Sequence, residues 1–152
     1  EYNIASLSLE NSAVDYMFAY LKDNQEDSNF ENGVYDLINY YKSNQMKEDE
    51  VTTYLKYLPL LNQSYNFLNS YAWRMSELNE NLEDALQKVD IALILTGQEH
   101  KGYANILDTK AEVLWKMGNI KDAVLIIEEA LKIDSDSEYY QSQKEKFLQS
   151  AD

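Results

Sequence analysis

Side chains that commonly carry out catalysis are sparse in this sequence. It contains one histidine, His100, and no cysteine. His100 lies between Glu99 and Lys101 in a polar stretch, where a solvated imidazole is expected rather than a general base. Serines are plentiful, but none lies in a nucleophile elbow, and no glycine-rich phosphate-binding loop is present. The sequence therefore predicts a protein that is not an enzyme and that uses no cofactor.

Two acidic stretches have part of the spacing of a calcium-binding loop. The first, residues 23–33, lacks glycine at its sixth position and is followed by Val34, where a bidentate glutamate is required. The second, residues 134–138, is followed by Tyr139 at the sixth position and continues into a predicted helix. Because neither stretch supplies a complete ligand set, we expect no specific metal site.

The charge of the chain excludes other classes of ligand. The 13 Lys and Arg residues are outnumbered by 27 Asp and Glu residues, which gives a net charge of −14. This charge keeps a protein soluble, and it repels both nucleic-acid phosphates and anionic lipid surfaces. No apolar stretch approaches the ~20 residues that a membrane-spanning helix needs. We therefore expect no nucleic acid and no membrane insertion, and a protein partner would offer a basic or neutral segment.

Apolar residues recur with helical spacing along nearly the whole chain. Only four glycines and one proline interrupt them, too few for the frequent turns of an all-β fold. The pattern predicts an all-α fold, an antiparallel array of helix hairpins with seven or eight helices. Pro59 marks either the end of the third helix or the start of the fourth. The apolar face of the third helix is predicted to contain Val51, Tyr54, Leu55 and Leu58, and that of the last helix Tyr140, Phe147 and Leu148.

Small residues recur at defined places in the second half of the chain. In residues 104–134, Ala111 precedes the turn at Gly118, and Ala123 and Ala130 follow it. Large apolar residues occupy the positions between them, namely Leu107, Leu114 and Ile127. Small residues let two helices approach closely, and large ones fill the gaps between them. With this pattern, the segment resembles one complete tetratricopeptide repeat, a unit of two antiparallel helices.

The preceding segment resembles a second unit of the same family. Ala72, Ala85 and Ala92 correspond to the later alanines at spacings of 38 or 39 residues, whereas the family period is about 34. The additional length lies mostly in the loop 96–102. Before that region no alanine occurs between Ala19 and Ala72, so the small positions of the motif are missing there.

These patterns predict one helical domain over residues 1–152. Residues 1–62 form divergent helical pairs, residues 63–134 form the two repeat-like units, and residues 135–150 form a capping helix. A capping helix is needed because a helical solenoid must cover its last apolar face.

The resemblance also implies a binding surface. In the repeat family, one face of each first helix lines a concave groove that binds proteins or peptides, which implies a scaffold or interaction module here. By register, that face contains two tryptophans, four amides or hydroxyls and two acids: Asn66, Asn69, Trp73, Ser76, Asn105, Asp108, Glu112 and Trp115. Amides suit the backbone of an extended peptide and indoles suit its side chains. The two acids favour a basic or neutral segment, and they do not suit an acidic chain terminus.

A second resemblance concerns the neighbourhood of the chain. The runs at 71–78 and 106–124 are similar to the helical region that follows a thioredoxin-like domain in some bacterial envelope proteins. This resemblance implies a periplasmic or envelope location, although the cytoplasm remains open. Since the sequence begins at Glu1, we expect a piece of a longer chain. The alternatives to peptide binding are therefore a structural appendage that docks on an adjacent domain or self-associates, and a binder of small molecules or metals.

Overall fold

The protein is all-α, as the sequence predicts. The computed structural model describes residues 2–149, with side chains from residue 12 onward, and this part contains eight helices and no strand. None of the described helices is both long and apolar enough to cross a bilayer. The helices are α1 (Tyr2–Asp23), α2 (Phe30–Ser43), α3 (Lys47–Tyr57), α4 (Tyr65–Leu78), α5 (Leu82–Thr96), α6 (Tyr103–Lys116), α7 (Ile120–Ile133) and α8 (Glu138–Gln149).

The chain divides into two compact units, the first ending at Leu60 and the second beginning at Leu61. In the first unit, α2 packs against both α1 and α3. The apolar residues with helical spacing on α2 are buried, namely Val34, Leu37, Ile38 and Tyr41. Phe30, at the start of α2, makes an edge contact with Tyr57, with ring centroids 5.8 Å apart. Helix α3 ends at Tyr57, so Pro59 terminates the third helix and does not open the fourth.

The buried face of α3 matches the predicted one only in part, since Tyr54 and Leu58 are buried as expected. Leu55 was expected in the core but is 46% exposed, while Tyr57 is 3% exposed. The buried residues follow the same i, i+3, i+4, i+7 spacing, displaced by one position: Glu50, Thr53, Tyr54 and Tyr57. The ring of Tyr57 thus occupies the core in place of Leu55.

The second unit consists of two helix hairpins and a final helix. Helix α4 pairs with α5 and α6 pairs with α7, while α6 also contacts both helices of the first hairpin and α8 packs on α7. The alanines singled out from the sequence are all completely buried: Ala72, Ala85, Ala92, Ala111, Ala123 and Ala130. Their small size allows the close approach of the helices, which confirms that part of the packing prediction.

Both hairpin turns contain residues in the left-handed backbone region, but the residue types differ between the two turns. The α6–α7 turn uses Gly118 in the left-handed region, at φ +81°, and its N–H donates to the carbonyl of Trp115 at 2.9 Å. The α4–α5 turn has no glycine and instead places Asn79 and Asn81 in the left-handed region, at φ 56° and 49°. Asparagine tolerates this conformation better than most residues, which explains how the turn forms without glycine.

The final helix begins later than the sequence indicated. The hydroxyl of Ser137 accepts a hydrogen bond from the Tyr140 N–H at 3.3 Å, so Ser137 caps α8 and the helix starts at Glu138 rather than at residue 135. Phe147 is fully buried as predicted, whereas Leu148, also predicted for the core, is 48% exposed. The second buried side chain of α8 is polar, Gln143.

Candidate functional site

The eight residues predicted for a binding face lie on two neighbouring helices, four on α4 and four on α6. Their exposure differs from residue to residue. Asn66 and Asn105 are exposed, while Asn69, Trp73 and Trp115 are partly buried. The remaining three are buried, namely Ser76, Asp108 and Glu112. The α4 set therefore has one exposed and two partly exposed side chains, whereas both acids of the α6 set are buried.

The two acids of α6 are covered by α8. Asp108 is 2% exposed and Glu112 is 7% exposed. The side-chain amide of Gln143 donates to Asp108 Oδ1 at 3.1 Å and to Glu112 Oε2 at 3.3 Å. The hydroxyl of Tyr139 donates to Asp108 Oδ2 at 3.1 Å, and the ammonium of Lys146 pairs with Glu112. These five residues are called the α6–α8 network below.

The donors of the α6–α8 network form one stripe on α8. Tyr139, Gln143 and Lys146 are spaced i, i+4, i+7, which places them on the same side of the helix. Sequence reasoning missed them because it followed apolar residues, and a polar stripe resembles a solvated face. In the sequence alone, nothing distinguishes this stripe from a solvated face, so no signal there could have found it.

Burial dominates the electrostatics of the network. Desolvation raises the pKa of Asp108, although the hydrogen bonds from Gln143 and Tyr139 oppose this rise, as does the charge of Lys146. The pKa of Tyr139 is also raised, first by desolvation and then by the adjacent Asp108. The Asp108 carboxyl is therefore harder to ionise than an exposed aspartate, despite its two donors.

An apolar contact lies beside the network. The Phe147 ring, fully buried, lies 5.7 Å from the Trp115 ring, and Lys146 Nζ lies 4.6 Å from the Trp115 centroid. Phe147 belongs to a cluster formed by α6 and α7 side chains, which includes Leu107, Leu114 and Ile127. The tryptophan predicted to contact a ligand thus contacts an aromatic ring and a lysine of α8.

The α4 face has no such cover from α8 among the contacts that the structure describes. Asn69 Oδ1 is buried and has no hydrogen-bond partner in the described part of the chain. Trp73, one turn further along, is partly exposed, and Asn66, one turn earlier, is exposed. Ser76 differs from these residues because it is fully buried and donates its hydroxyl to the carbonyl of Trp73 at 2.6 Å. The Ser76 hydroxyl therefore already has its hydrogen-bond partner within α4.

The other residues considered for chemistry have ordinary surroundings. His100 is exposed, accepts the Gly102 N–H at 3.0 Å through Nδ1, and lies 3.4 Å from the Tyr65 hydroxyl. Arg74 forms an ion pair with Glu77 at 2.9 Å. Over residues 12–149, no group of three or more acidic or histidine side chains is arranged to hold a metal ion.

The first unit contains a separate surface cavity with a volume of about 540 Å³. Side chains of α1, of α3 and of the segment after α3 line it, with a mainly apolar wall and two lysines: Phe18, Leu21, Lys22, Lys56, Tyr57 and Leu60. Lys56 Nζ lies 4.3 Å from the centroid of the Phe18 ring, so this lysine already has an aromatic contact.

No protein-family model matches the chain, and no curated protein shows a significant match to it.

Proposed function

We propose that this chain is a non-catalytic, tetratricopeptide-like interaction module that binds an extended peptide or protein segment on the exposed face of α4. The observation that carries the proposal is the buried, unpartnered Oδ1 of Asn69. Folded proteins satisfy nearly all such atoms, since leaving one without a partner costs about 1–3 kcal/mol. Rotation of the partly exposed Asn69 side chain would bring this oxygen to the surface, where a backbone N–H of a ligand would supply the missing donor.

The neighbours of Asn69 fit an extended ligand. Asn66, Asn69 and Trp73 are spaced i, i+3, i+7 and so follow one face of α4. The amides can pair with the backbone of a peptide, and the partly exposed indole can pack against one of its side chains. The net charge of −14 favours a basic or neutral ligand.

Selection from a library of random linear peptides by the wild-type chain would test this function. The affinity of a selected peptide would then be measured by fluorescence anisotropy for Asn69→Leu and Trp73→Ala. We expect each variant to bind at least about tenfold more weakly, which corresponds to about 1.4 kcal/mol. Asn39→Leu, at an exposed position of α2, is the matched control and should bind as the wild type does. Unchanged affinity in both α4 variants, or no selected peptide at all, would refute the proposal.

One observation favours a second function, self-association or docking on a neighbouring domain. Ile91, Ile94 and Leu95 follow i, i+3, i+4 spacing on α5 and are 39%, 80% and 36% exposed. Single exposed apolar residues are common, but an aligned set is typical of an interface. Sedimentation velocity of the wild type and of Ile94→Asp would test self-association. A dimer that Ile94→Asp dissociates would support it, and a wild type that is monomeric at high concentration would exclude it.

A further inference from the structure

Helix α8 is held on the second unit by few apolar contacts. Of its twelve residues, only Gln143 and Phe147 are buried, and Tyr140 is partly buried against the same cluster. Leu148 is 48% exposed. The segment 134–136 before the helix is exposed as well. The described contacts that keep α8 in place therefore come mainly from one phenylalanine, from the polar α6–α8 network and from the surface ion pair of Lys144 with Glu128 on α7.

A polar contact of this kind contributes little to holding two elements together. Forming the network removes two carboxylates and an amide from water while the Lys146 side chain stays 37% exposed, and the desolvation offsets much of the attraction between these groups. When α8 separates from α6, all of these groups become hydrated again. Undocking of α8 should thus require less free energy than global unfolding, which is the condition for local opening.

The face beneath α8 has the features of a helix-binding groove. It presents the Asp108 and Glu112 carboxylates beside Trp115, together with the apolar cluster that receives Phe147. The side chains of α8 indicate which chemistry fits this groove. Tyr139, Gln143 and Lys146 supply hydrogen-bond donors at i, i+4 and i+7, and the aromatic Phe147 directly follows Lys146. Because α6 packs against α4, release of α8 would extend the exposed α4 face onto α6.

We propose that α8 is a displaceable occupant of the α6 face, and that this face binds an amphipathic partner helix carrying a lysine, an amide side chain and an aromatic residue at the spacing found in α8. In this arrangement, docked α8 prevents the α6 face of its own chain from binding the partner helix. The inference rests on the proposed function, because it adds a second, covered part to the same interaction surface. The partner of the α6 face is a helix with basic and aromatic residues, whereas the α4 face binds an extended segment.

A fluorescein-labelled synthetic peptide of residues 136–149 is the probe for this groove. It would be titrated into the full chain and into the Phe147→Ala variant, which weakens α8 without altering α6 or α4. We expect the variant to bind the peptide at least tenfold more tightly than the wild type, because its own α8 competes less well. A control peptide with glutamate in place of Gln143 and Lys146 should bind at least tenfold more weakly, since it brings negative charge to Asp108 and Glu112. Equal binding by variant and wild type, or by the two peptides, would overturn the proposal.

A second variant is used if circular dichroism shows that Phe147→Ala does not fold. Lys146→Glu retains Phe147 but removes the ion pair with Glu112 and the cation–π contact with Trp115, and it should also raise the affinity for the added peptide. If it does not, the proposal is wrong. The same proteins would be titrated with a peptide selected for the α4 face. If only the α8 peptide does not bind as predicted, the proposal of a displaceable α8 is refuted. If only the selected peptide does not bind, the proposed function is refuted.

Discussion

The side-chain amide of Gln143 donates a hydrogen bond to the Asp108 carboxylate at 3.1 Å, although the two residues are 35 positions apart in the chain. This contact joins the last helix to the face of α6 on which the sequence placed a ligand. It also explains how a carboxylate that is 2% exposed can be tolerated there, since Tyr139 supplies a second donor.

Gln143→Glu is expected to destabilise the protein by about 2–3 kcal/mol at pH 7, because it removes two hydrogen bonds and places a third carboxylate beside Asp108 and Glu112. Urea unfolding followed by circular dichroism measures the loss. The matched control is Gln141→Glu, at an exposed position of the same helix, which should change stability by less than about 0.5 kcal/mol. Equal effects of the two substitutions would show that the α6–α8 network contributes nothing.

Asp108→Asn is expected to change how stability depends on pH. The native pKa of Asp108 is raised, mainly by burial, so the folded state holds this proton more tightly than the unfolded state. Its contribution to stability is therefore greatest below the unfolded pKa and is lost as pH rises through the native pKa.

The stability of the wild type relative to Asp108→Asn should accordingly be higher in acid than at neutral pH. Urea unfolding of both proteins at a series of pH values tests this sign. Asp136→Asn, in the exposed segment before α8, should show no comparable trend. If the stability of the wild type relative to Asp108→Asn instead increased as pH rises, the assignment of a raised pKa to Asp108 would be contradicted.

Asn69→Leu should stabilise the protein by about 1–2 kcal/mol while it weakens peptide binding. The substitution removes a buried oxygen that has no partner and replaces it with an apolar group of similar volume. Thermal and urea unfolding measure the stability, and anisotropy measures the affinity. Opposite signs of the two effects are the signature of a residue retained for binding. A loss of stability would mean that the amide of Asn69 supports the fold.

Tyr71→Phe should destabilise the α4–α5 hairpin by about 1 kcal/mol. Tyr71 is completely buried, and its hydroxyl donates to Asp84 at 2.8 Å. The control is Tyr65→Phe, whose hydroxyl makes only a long, exposed contact with His100 at 3.4 Å. Urea unfolding should detect a loss for the first variant and almost none for the second. Comparable losses would contradict a structural role for the Tyr71–Asp84 hydrogen bond.

Much of the helical architecture could be predicted from the sequence because it depends on local periodicity and on side-chain size. Ala111 and Ala123 were predicted as close-packed positions, and both are fully buried. The face of α3 was predicted less well. Leu55 fits an apolar pattern as well as Tyr57 does, and the contact of Tyr57 with Phe30 of α2 becomes visible only in the structure.

The candidate site was harder to predict because polar residues have no preferred side of a helix until a partner helix is placed. The acids of α6 fit an open concave face in the sequence, yet the structure covers both with α8. This contact depends on a stripe of Tyr139, Gln143 and Lys146 that is indistinguishable from a solvated surface in the sequence alone. The unpartnered oxygen of Asn69 likewise becomes visible only when its surroundings are known.

The most direct test of the account is a fluorescence titration that follows Trp73 when a selected peptide binds. The chain has two tryptophans, so Trp115→Phe leaves Trp73 as the reporter on α4. We expect the peptide to shift the Trp73 emission to shorter wavelength, because it removes water from the indole, and Asn69→Leu to reduce the affinity about tenfold in the same titration. A peptide that binds by anisotropy but leaves the Trp73 emission unchanged would show that the ligand lies elsewhere, and the assignment of the α4 face would be wrong.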